Sequence, residues 1–143
     1  MNKLIENKLS AYLSSQSRNK IVFYKNSIID ITAIDLGSIL AQAIYNYKDE
    51  SKLPMRVSAE IDKILNLSIL EHNTYGRMLA ITNIGILLEP ELKQDFNRLL
   101  DNYSNNNILF VHWEGEIDSN YLYFQTKEQG KKIRINNLSH IAL

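Results

Sequence analysis

The chain has 143 residues, 16 basic and 16 acidic side chains, and no cysteine. This length fits one domain with a buried core, and the absence of cysteine excludes disulfides, thiol nucleophiles and thiolate metal sites. The balanced charge argues against a protein whose main task is to bind duplex nucleic acid, and no apolar run reaches the roughly 20 residues of a membrane span. We therefore expect one cytoplasmic domain over residues 1–143, with no signal peptide and no membrane contact.

The N-terminal part of the chain predicts a helix followed by two β-prone pieces. Apolar residues between Leu4 and Leu13 recur at helical spacing. The unbroken apolar run at 21–24 is typical of a strand that is covered on both faces. A second β-prone piece at 28–31 follows almost at once, so we expect two short strands in succession.

Two helices are expected after these strands. Thr32 and Asp35 have the spacing of a capping box, with the hydroxyl first and the carboxylate three residues later. Apolar residues from Leu36 to Tyr47 then recur every three or four positions, which predicts a helix with a wide face packed on a sheet. Gly37 lies inside this pattern and indicates close packing of the helix. A further helix is expected at about 58–67.

The second half predicts two buried strands on either side of a helix. The runs from Met78 to Ile81 and from Ile108 to Trp113 are unbroken and apolar, as strands of a parallel sheet are. Between them, Pro90 stands between two glutamates, a composition typical of the first turn of a helix. The apolar stripe of this helix extends to Tyr103.

The C-terminal region differs in kind from the rest. The pieces at 121–124 and 132–135 are separated by a turn that contains Gly130, which predicts an antiparallel hairpin at a sheet edge. Strands that alternate with helices and end in a hairpin indicate an α/β domain of three layers with a mostly parallel sheet.

The usual nucleotide-binding signatures are absent. The chain contains no G-x-x-x-x-G-K-[ST] and no G-x-G-x-x-G. A phosphate site needs backbone N–H groups at a helix N-terminus and a lysine that reaches the terminal phosphates. The run after the first strand, Lys25-Asn26-Ser27, has one lysine and no glycine, and the strand at 78–81 ends in Thr82-Asn83 without a carboxylate for magnesium. We therefore predict no nucleotide cofactor and assign no catalytic residue.

One constellation resembles a metal site and leaves an enzymatic alternative open. His112, Glu114, Glu116 and Asp118 would share one face if the strand continued, because strand side chains alternate. Gly115 interrupts the run, so Glu116 and Asp118 are expected in a loop. The alternative function is a small metal-assisted hydrolase that uses His112, Glu114 and Glu116.

The hairpin is the predicted interaction surface. Tyr121 and Tyr123 fall on one face of a strand, and basic residues follow in the turn and the next strand. Tyrosine is enriched at protein–protein interfaces, so a protein contact is favoured. A nucleic-acid-binding adaptor that stacks bases on the tyrosines is the second alternative. The basic residues in question are Lys127, Lys131, Lys132 and Arg134.

The stretch from Ile81 to Asp95, ITNIGILLEPELKQD, resembles the small P-loop protein (BrxF) of BREX phage-defence systems. The similarity continues through Asn106-Asn107, the next strand and Trp113-Glu114-Gly115. The resemblance implies a P-loop-NTPase-like fold and a place in a multi-subunit anti-phage complex. It does not extend to the family's glycine-rich ATP-binding loop, and Thr82 stands where the family has a magnesium-associated aspartate.

The hypothesis that follows is a non-catalytic interaction or regulatory subunit of a bacterial anti-phage defence complex. Its domain would be a degenerate relative of a P-loop NTPase without nucleotide binding. The resemblance implies a larger protein partner, such as an ATPase or a DNA-modifying subunit. The hairpin residues expected to form the contact are Tyr121, Tyr123, Lys131, Lys132 and Arg134.

Overall fold

The computed structural model describes residues 3–28, 30–47, 49–124 and 130–143. Helices and strands alternate over most of this length, and short 3-10 helices at Tyr45–Tyr47, Ile84–Leu88 and Pro90–Leu92 connect them. The α-helices are α1 (Lys3–Leu13), α2 (Leu36–Ile44), α3 (Leu53–Ser68) and α4 (Phe96–Ser104). The strands are β1 (Lys20–Tyr24), β2 (Ile34–Asp35), β3 (Leu70–His72), β4 (Gly76–Thr82), β5 (Ile108–His112), β6 (Tyr121–Tyr123), β7 (Lys132–Arg134) and β8 (His140–Ala142).

The central sheet is mostly parallel and has the strand order β2-β4-β5-β1-β8. Only β3 is antiparallel, and it pairs with the first half of β4. In the middle of the sheet, β5 pairs with β4 on one side and with β1 on the other, so that Phe110 lies beside both Ala80 and Val22. The short strand β2 pairs with the last two residues of β4. The parallel strands therefore all end at one edge of the sheet.

Two hydrophobic cores lie on the two faces of this sheet, because successive side chains of a strand point to opposite faces. Ile21 and Phe23 of β1 belong to the larger core, which α2, α3 and α4 cover. Val22 and Tyr24 belong to the smaller core, which α1 covers through Leu9. The unbroken apolar runs in the sequence are explained by this burial on both faces.

The C-terminal hairpin of β6 and β7 forms a separate two-stranded antiparallel sheet. Its inner face carries the fully buried Leu122, which joins the larger core together with Ile135. The α/β class, the mostly parallel sheet and the C-terminal antiparallel hairpin that the sequence predicts are thus confirmed. The expected place of the hairpin, at a sheet edge, is wrong, because among the described strands β6 and β7 pair only with each other. The residues between β6 and β7, at 125–129, lie outside the described part of the chain.

The strand expected at 28–31 is wrong: none of the described residues of that piece is in a strand. Ile28 is buried in the smaller core, and Asp30 has a positive φ of 66° that turns the chain. The chain must pass here from β1 in the sheet interior to β2 beyond β4, so these residues cross the smaller core instead of extending the sheet. The strand in this region is β2, which the sequence did not predict.

The capping box expected at Thr32 is also wrong. Asp35 itself caps α2, because its side chain accepts a hydrogen bond from the backbone N–H of Ser38. Asp35 is thus the N-cap residue itself and not the acidic residue three positions after the N-cap. The helix expected at 58–67 exists but begins earlier, at Leu53, with Pro54 in its first turn.

The helix expected to begin at Pro90 starts later. Pro90–Leu92 form a single 3-10 turn, and Lys93 then takes a left-handed conformation with φ of 49°. The α-helix α4 begins only after this turn, at Phe96. Asp95 is its N-cap and accepts a hydrogen bond from the backbone N–H of Arg98 at 3.1 Å. The apolar stripe through Phe96 and Tyr103 is buried as predicted. No helix of the described residues has the length and apolar character to span a bilayer.

Candidate functional site

Open α/β sheets bind ligands in the crevice beyond the carboxyl ends of their strands. In this protein that edge is formed by Lys25 after β1, Asp35 at the end of β2, Thr82 at the end of β4 and His112 at the end of β5. Lys25, Thr82 and His112 bear on the nucleotide and metal predictions made from the sequence, whereas Asp35 has no predicted binding role. The geometry of this edge decides whether a nucleotide could be held there.

His112 joins the ends of three strands through its two ring nitrogens. Its Nε2 lies 3.1 Å from the carbonyl oxygen of Lys25, which can only accept, so Nε2 carries a proton and donates. Its Nδ1 lies 2.9 Å from the Thr82 hydroxyl, which donates to it in the neutral tautomer. The backbone N–H of Trp113 also donates to the carbonyl of Tyr24 at 2.9 Å. The polar groups at the ends of β1, β4 and β5 therefore satisfy one another.

Asp35 satisfies the N-terminus of α2 in the same way. Its carboxylate accepts from the backbone N–H of Ser38 at 2.9 Å and from Nδ2 of Asn83 at 2.8 Å. The Ser38 backbone bond is the main cause that holds the pKa of Asp35 below its ordinary value, and the Asn83 bond adds to it. A carboxylate thus stands at this N-terminus, where a phosphate-binding helix would offer free N–H groups.

Gly37 brings α2 against the end of β4. A Cβ added to Gly37 would lie 2.4 Å from the carbonyl oxygen of Asn83, closer than real atoms approach. Asn83 itself has a left-handed conformation with φ of 57°. The close packing that the sequence indicates for Gly37 is confirmed, and its neighbour is the backbone at the sheet edge.

The metal constellation considered for a hydrolase is not assembled. His112 lies 3.6 Å from the carboxylate of Glu114, whose side chain is 77% exposed, but both ring nitrogens of His112 already have hydrogen-bond partners. Glu116 contributes its backbone carbonyl, which accepts from Nε1 of Trp113 at 3.1 Å. In the described ranges no three His, Asp or Glu side chains come together in a way that could hold a metal ion. The hydrolase alternative gains no support from this arrangement.

The predicted interaction surface is only partly exposed. Tyr121 and Tyr123 lie on the outer face of the hairpin with Lys132 and Arg134, because Tyr121 stands opposite Arg134 and Tyr123 opposite Lys132. Tyr123 is nevertheless only 9% exposed. Its hydroxyl donates to the Asp118 carboxylate at 2.6 Å, and this bond, together with burial, raises the pKa of Tyr123 to about 12. Tyr123 therefore anchors the hairpin and does not offer a ring to a partner.

The basic residues of the hairpin remain at the surface. Lys131, Lys132 and Arg134 are exposed, and within the described residues none of them has a carboxylate within 4.0 Å. Lys131 donates to the carbonyl of Leu88 at 2.8 Å, and Lys132 lies 4.4 Å above the ring of Tyr121. Lys127 lies outside the described residues. The structure thus places Lys132 and Arg134 on one face of β7, whereas Lys131 lies on the opposite face beside Leu88.

Two functional features of these sites had weak signals in the sequence. Asn83 has no predicted role, although an asparagine directly after a buried strand is a common left-handed residue. Asn97, at the start of α4, donates to the carbonyl of Arg134 at 2.6 Å, a contact between positions far apart in the chain.

Comparison of the chain with protein-family models, with curated proteins and with solved structures finds no match.

Proposed function

We propose that this protein is a non-catalytic interaction or regulatory subunit of a bacterial anti-phage defence complex. Its domain is a degenerate P-loop-NTPase-like domain that does not bind nucleotide. The observation that carries the proposal is the bond between Thr82 and His112, with the further bond from His112 to the carbonyl of Lys25. These bonds close the edge of the sheet at the place where an NTPase holds a triphosphate.

A triphosphate site needs donors that point into the crevice after the first strand. Here the carbonyl of Lys25 takes a hydrogen bond from His112 at that place, and no helix begins before α2 in the described residues after β1. The N-terminus of α2 is occupied by the carboxylate of Asp35, which would repel a phosphate. Among the described residues, the crevice therefore offers Lys25 but no row of free backbone N–H groups of the kind that holds a triphosphate.

The strand order distinguishes the central sheet from two common doubly wound arrangements. The five parallel strands in chain order are β1, β2, β4, β5 and β8. If they are renumbered 1 to 5, their order across the sheet is 2-3-4-1-5. This order differs from the Rossmann and flavodoxin-like orders. Strand order of this kind concerns the fold alone, because function depends on the site.

The cover of the smaller core supports the loss of the nucleotide-binding helix. In a P-loop domain the helix that follows the first strand packs on the sheet and presents its N-terminus to the phosphates. In this protein α1, which precedes β1, packs on that face through Leu9, and Ile28 fills the space beside it. Of the described residues directly after β1, Lys25, Asn26 and Ser27 are exposed, and Ile28 is packed in the smaller core where a helix would otherwise begin.

Nucleotide titration tests the first half of the proposal. We expect no heat of binding and no rise in melting temperature when Mg-ATP or Mg-ADP is added. A nucleotide present at 100 times its dissociation constant would stabilise the folded state by about 2.7 kcal/mol. Mg-tripolyphosphate at equal ionic strength is the control that separates nucleotide recognition from general anion effects. A saturable shift with ATP that tripolyphosphate does not produce would contradict the proposal.

Phage challenge tests the second half. Deletion of the gene from the source cell should increase phage plating, and the wild-type gene should restore resistance. A charge-reversed hairpin, Lys132→Glu with Arg134→Glu, should fail to restore it if the hairpin binds a partner. The matched control reverses two lysines at α3, Lys52→Glu with Lys63→Glu, and should restore resistance. Equal plating with and without the gene would count against a role in defence.

A further inference from the structure

The hydrogen-bond register of the hairpin leaves one edge of β7 open. Phe124 donates to the carbonyl of Lys131, and Ile135 donates to the carbonyl of Asn120. In an antiparallel pair the bonded positions alternate with non-bonded ones. The backbone groups of Ile133 therefore face β6, and those of Lys132 and Arg134 face away from it.

The opposite strand of the hairpin has no such open edge. The backbone N–H of Tyr121 donates to Asp118 Oδ1 at 2.8 Å, and that of Tyr123 donates to the carbonyl of Glu116 at 3.0 Å. The residues before β6 thus satisfy its outer edge, with a further bridge between Ile117 and Leu122. Within the described part of the hairpin, the open edge is therefore that of β7.

Only one group on the outer edge of β7 has a partner among the described residues. The carbonyl of Arg134 accepts from Nδ2 of Asn97 at 2.6 Å. The N–H and carbonyl of Lys132 and the N–H of Arg134 have no protein partner in the described part of the chain. Unpaired N–H and C=O groups in a row are a template for an added strand.

A cleft of about 690 Å³ lies in front of this open edge. It is lined by β7 and by the start of α4, which the Asn97 bond joins at the Arg134 end, so a chain segment could enter beside Lys132. The lining residues are Gln94, Asp95, Phe96 and Asn97 on one side and Lys132, Ile133, Arg134 and Asn137 on the other. The open edge and the cleft are thus one surface, which we call the β7 groove.

The charge of the β7 groove selects the chemistry of its occupant. Lys132 and Arg134 lie on the groove and Lys131 precedes it, with no carboxylate within 4.0 Å among the described residues. In a chain whose charges balance overall, Lys132 and Arg134 outnumber Asp95 in this lining, and this local excess favours an acidic partner. Asp95 is the acidic residue of the lining, and it is held by its cap bond to the N–H of Arg98.

We propose that the β7 groove binds an extended acidic segment of a protein partner, which adds to β7 as a further strand. The inference rests on the proposed function as an interaction subunit and names the surface and the kind of partner. Backbone bonds to Lys132 and Arg134 would supply the affinity, and acidic side chains that meet the side chains of Lys132 and Arg134 would supply the selectivity. Asn97 limits the added strand at the Arg134 end.

A peptide fits this groove better than a nucleic acid for two reasons. The open edge presents both donors and an acceptor, the carbonyl of Lys132, and phosphates offer acceptors alone. The aromatic rings are also unavailable for stacking, because Lys132 lies over Tyr121 and Tyr123 is buried. The mixed edge matches the alternating N–H and C=O groups of a peptide backbone.

The probe is a fluorescein-labelled peptide of alternating glutamate and valine. We expect saturable binding by fluorescence anisotropy, and about tenfold weaker binding of a peptide with the same charge in which proline replaces every valine. Lys132→Gln removes a charge and keeps the edge N–H, whereas Lys132→Pro removes both without disturbing the bonds to β6. The proline variant should bind several times more weakly than the glutamine variant, provided that both melt at the same temperature.

Amide hydrogen exchange gives a readout at the groove itself. The amides of Lys132 and Arg134 should exchange rapidly in the free protein and slow about tenfold or more when the peptide is saturating. The amide of Ile133, which faces β6, should be protected in both states. Equal binding of the proline peptide, unchanged exchange at Lys132, or tighter binding of an oligothymidylate of equal charge would each overturn the proposal. Such a failure leaves the nucleotide titration and the phage plating of the gene deletion unaffected, so the two proposals can fail separately.

Discussion

The hydroxyl of Thr82 and Nδ1 of His112 lie 2.9 Å apart, at the adjacent ends of β4 and β5. The other ring nitrogen of His112 donates to the carbonyl of Lys25 after β1. One half-buried imidazole therefore links the three central strands at the edge where α/β sheets bind ligands. Because these polar groups bond to one another, substitution can measure how much the contact contributes to the free energy of unfolding.

Substitution of the two partners tests this link. Thr82→Val and His112→Ala should each lower the free energy of unfolding by about 1 kcal/mol, because each leaves a partly buried polar group without its hydrogen bond. The double variant should lose about 0.5 kcal/mol or more less than the sum of the two single losses, since both single changes remove the same hydrogen bond. Urea unfolding of the four proteins gives the coupling free energy. A control pair is Thr82→Val with Ser58→Ala on α3, for which additivity is expected.

Replacement of Gly37 by alanine should destabilise the protein. Alanine in an exposed helix interior normally stabilises by about 1 kcal/mol relative to glycine. At Gly37 the new Cβ would lie 2.4 Å from the carbonyl oxygen of Asn83, so α2 must shift and the net cost should be about 1 to 3 kcal/mol. Gly85→Ala is the matched control, because nothing lies within 4 Å of its added Cβ. Equal unfolding free energies for the two variants would refute the close contact.

Removal of the Asp35 carboxylate should produce a stability loss that depends on pH. The Ser38 backbone bond, with Asn83, lowers the pKa of Asp35 in the folded state, so the folded protein binds fewer protons there than the unfolded chain. The stabilisation is present above the ordinary carboxyl pKa of about 4 and is lost as the pH falls through the lowered value. The melting temperature of Asp35→Ala should therefore lie below wild type at pH 7 and approach it at strongly acidic pH. Asp49→Ala, at an exposed carboxylate outside any helix cap, should show no such convergence.

Alkaline pH should destabilise the protein through its tyrosines. Burial raises the pKa of Tyr24, Tyr75 and Tyr103, helped at Tyr103 by a 2.6 Å bond to Asp62, and the Asp118 bond raises the pKa of Tyr123 to about 12. A raised pKa stabilises the folded state below the ordinary value of about 10, and this stabilisation is lost as the pH rises through the folded value. Absorbance at 295 nm should thus show that part of the tyrosine ionisation coincides with unfolding by circular dichroism.

Tyr103→Phe is the variant that isolates this effect. It should lower stability at neutral pH, because the bond to Asp62 is lost, and it should make stability less sensitive to pH above about 10. Tyr45→Phe, at an exposed ring, should leave the alkaline midpoint unchanged. An alkaline transition that does not move in Tyr103→Phe would show that other groups dominate it.

Local patterns in the sequence predicted the elements whose burial is continuous. The runs at 21–24, 78–81 and 108–111 are apolar at every position because both faces of the sheet are covered, and each became part of a strand. The hairpin also followed from local signals, since turn residues separate two short β-prone pieces. These features depend on neighbours within a few residues, which is the range that a sequence pattern reports.

The wrong predictions fell where a distant contact overrode a local preference. The piece at 28–31 has strand-forming residues, but it must cross the smaller core to reach β2. The start expected at Pro90 was displaced because Lys93 turns the chain and Asp95 caps α4. The strand β8 was not foreseen, because its three residues gain their strand conformation from pairing with β1, far away in the chain.

The sequence by itself determined the α/β class, the central strands and the absence of nucleotide-binding motifs, because these depend on composition and on spacing within one element. Only the tertiary structure decided that His112 bonds Thr82 and Lys25, that Asp35 meets Asn83, and that Tyr123 is buried. It also decided which edge of β7 remains open. The physical reason is that hydrogen-bond partners and strand edges depend on the order of strands in space, and that order is set by packing between residues far apart in the chain.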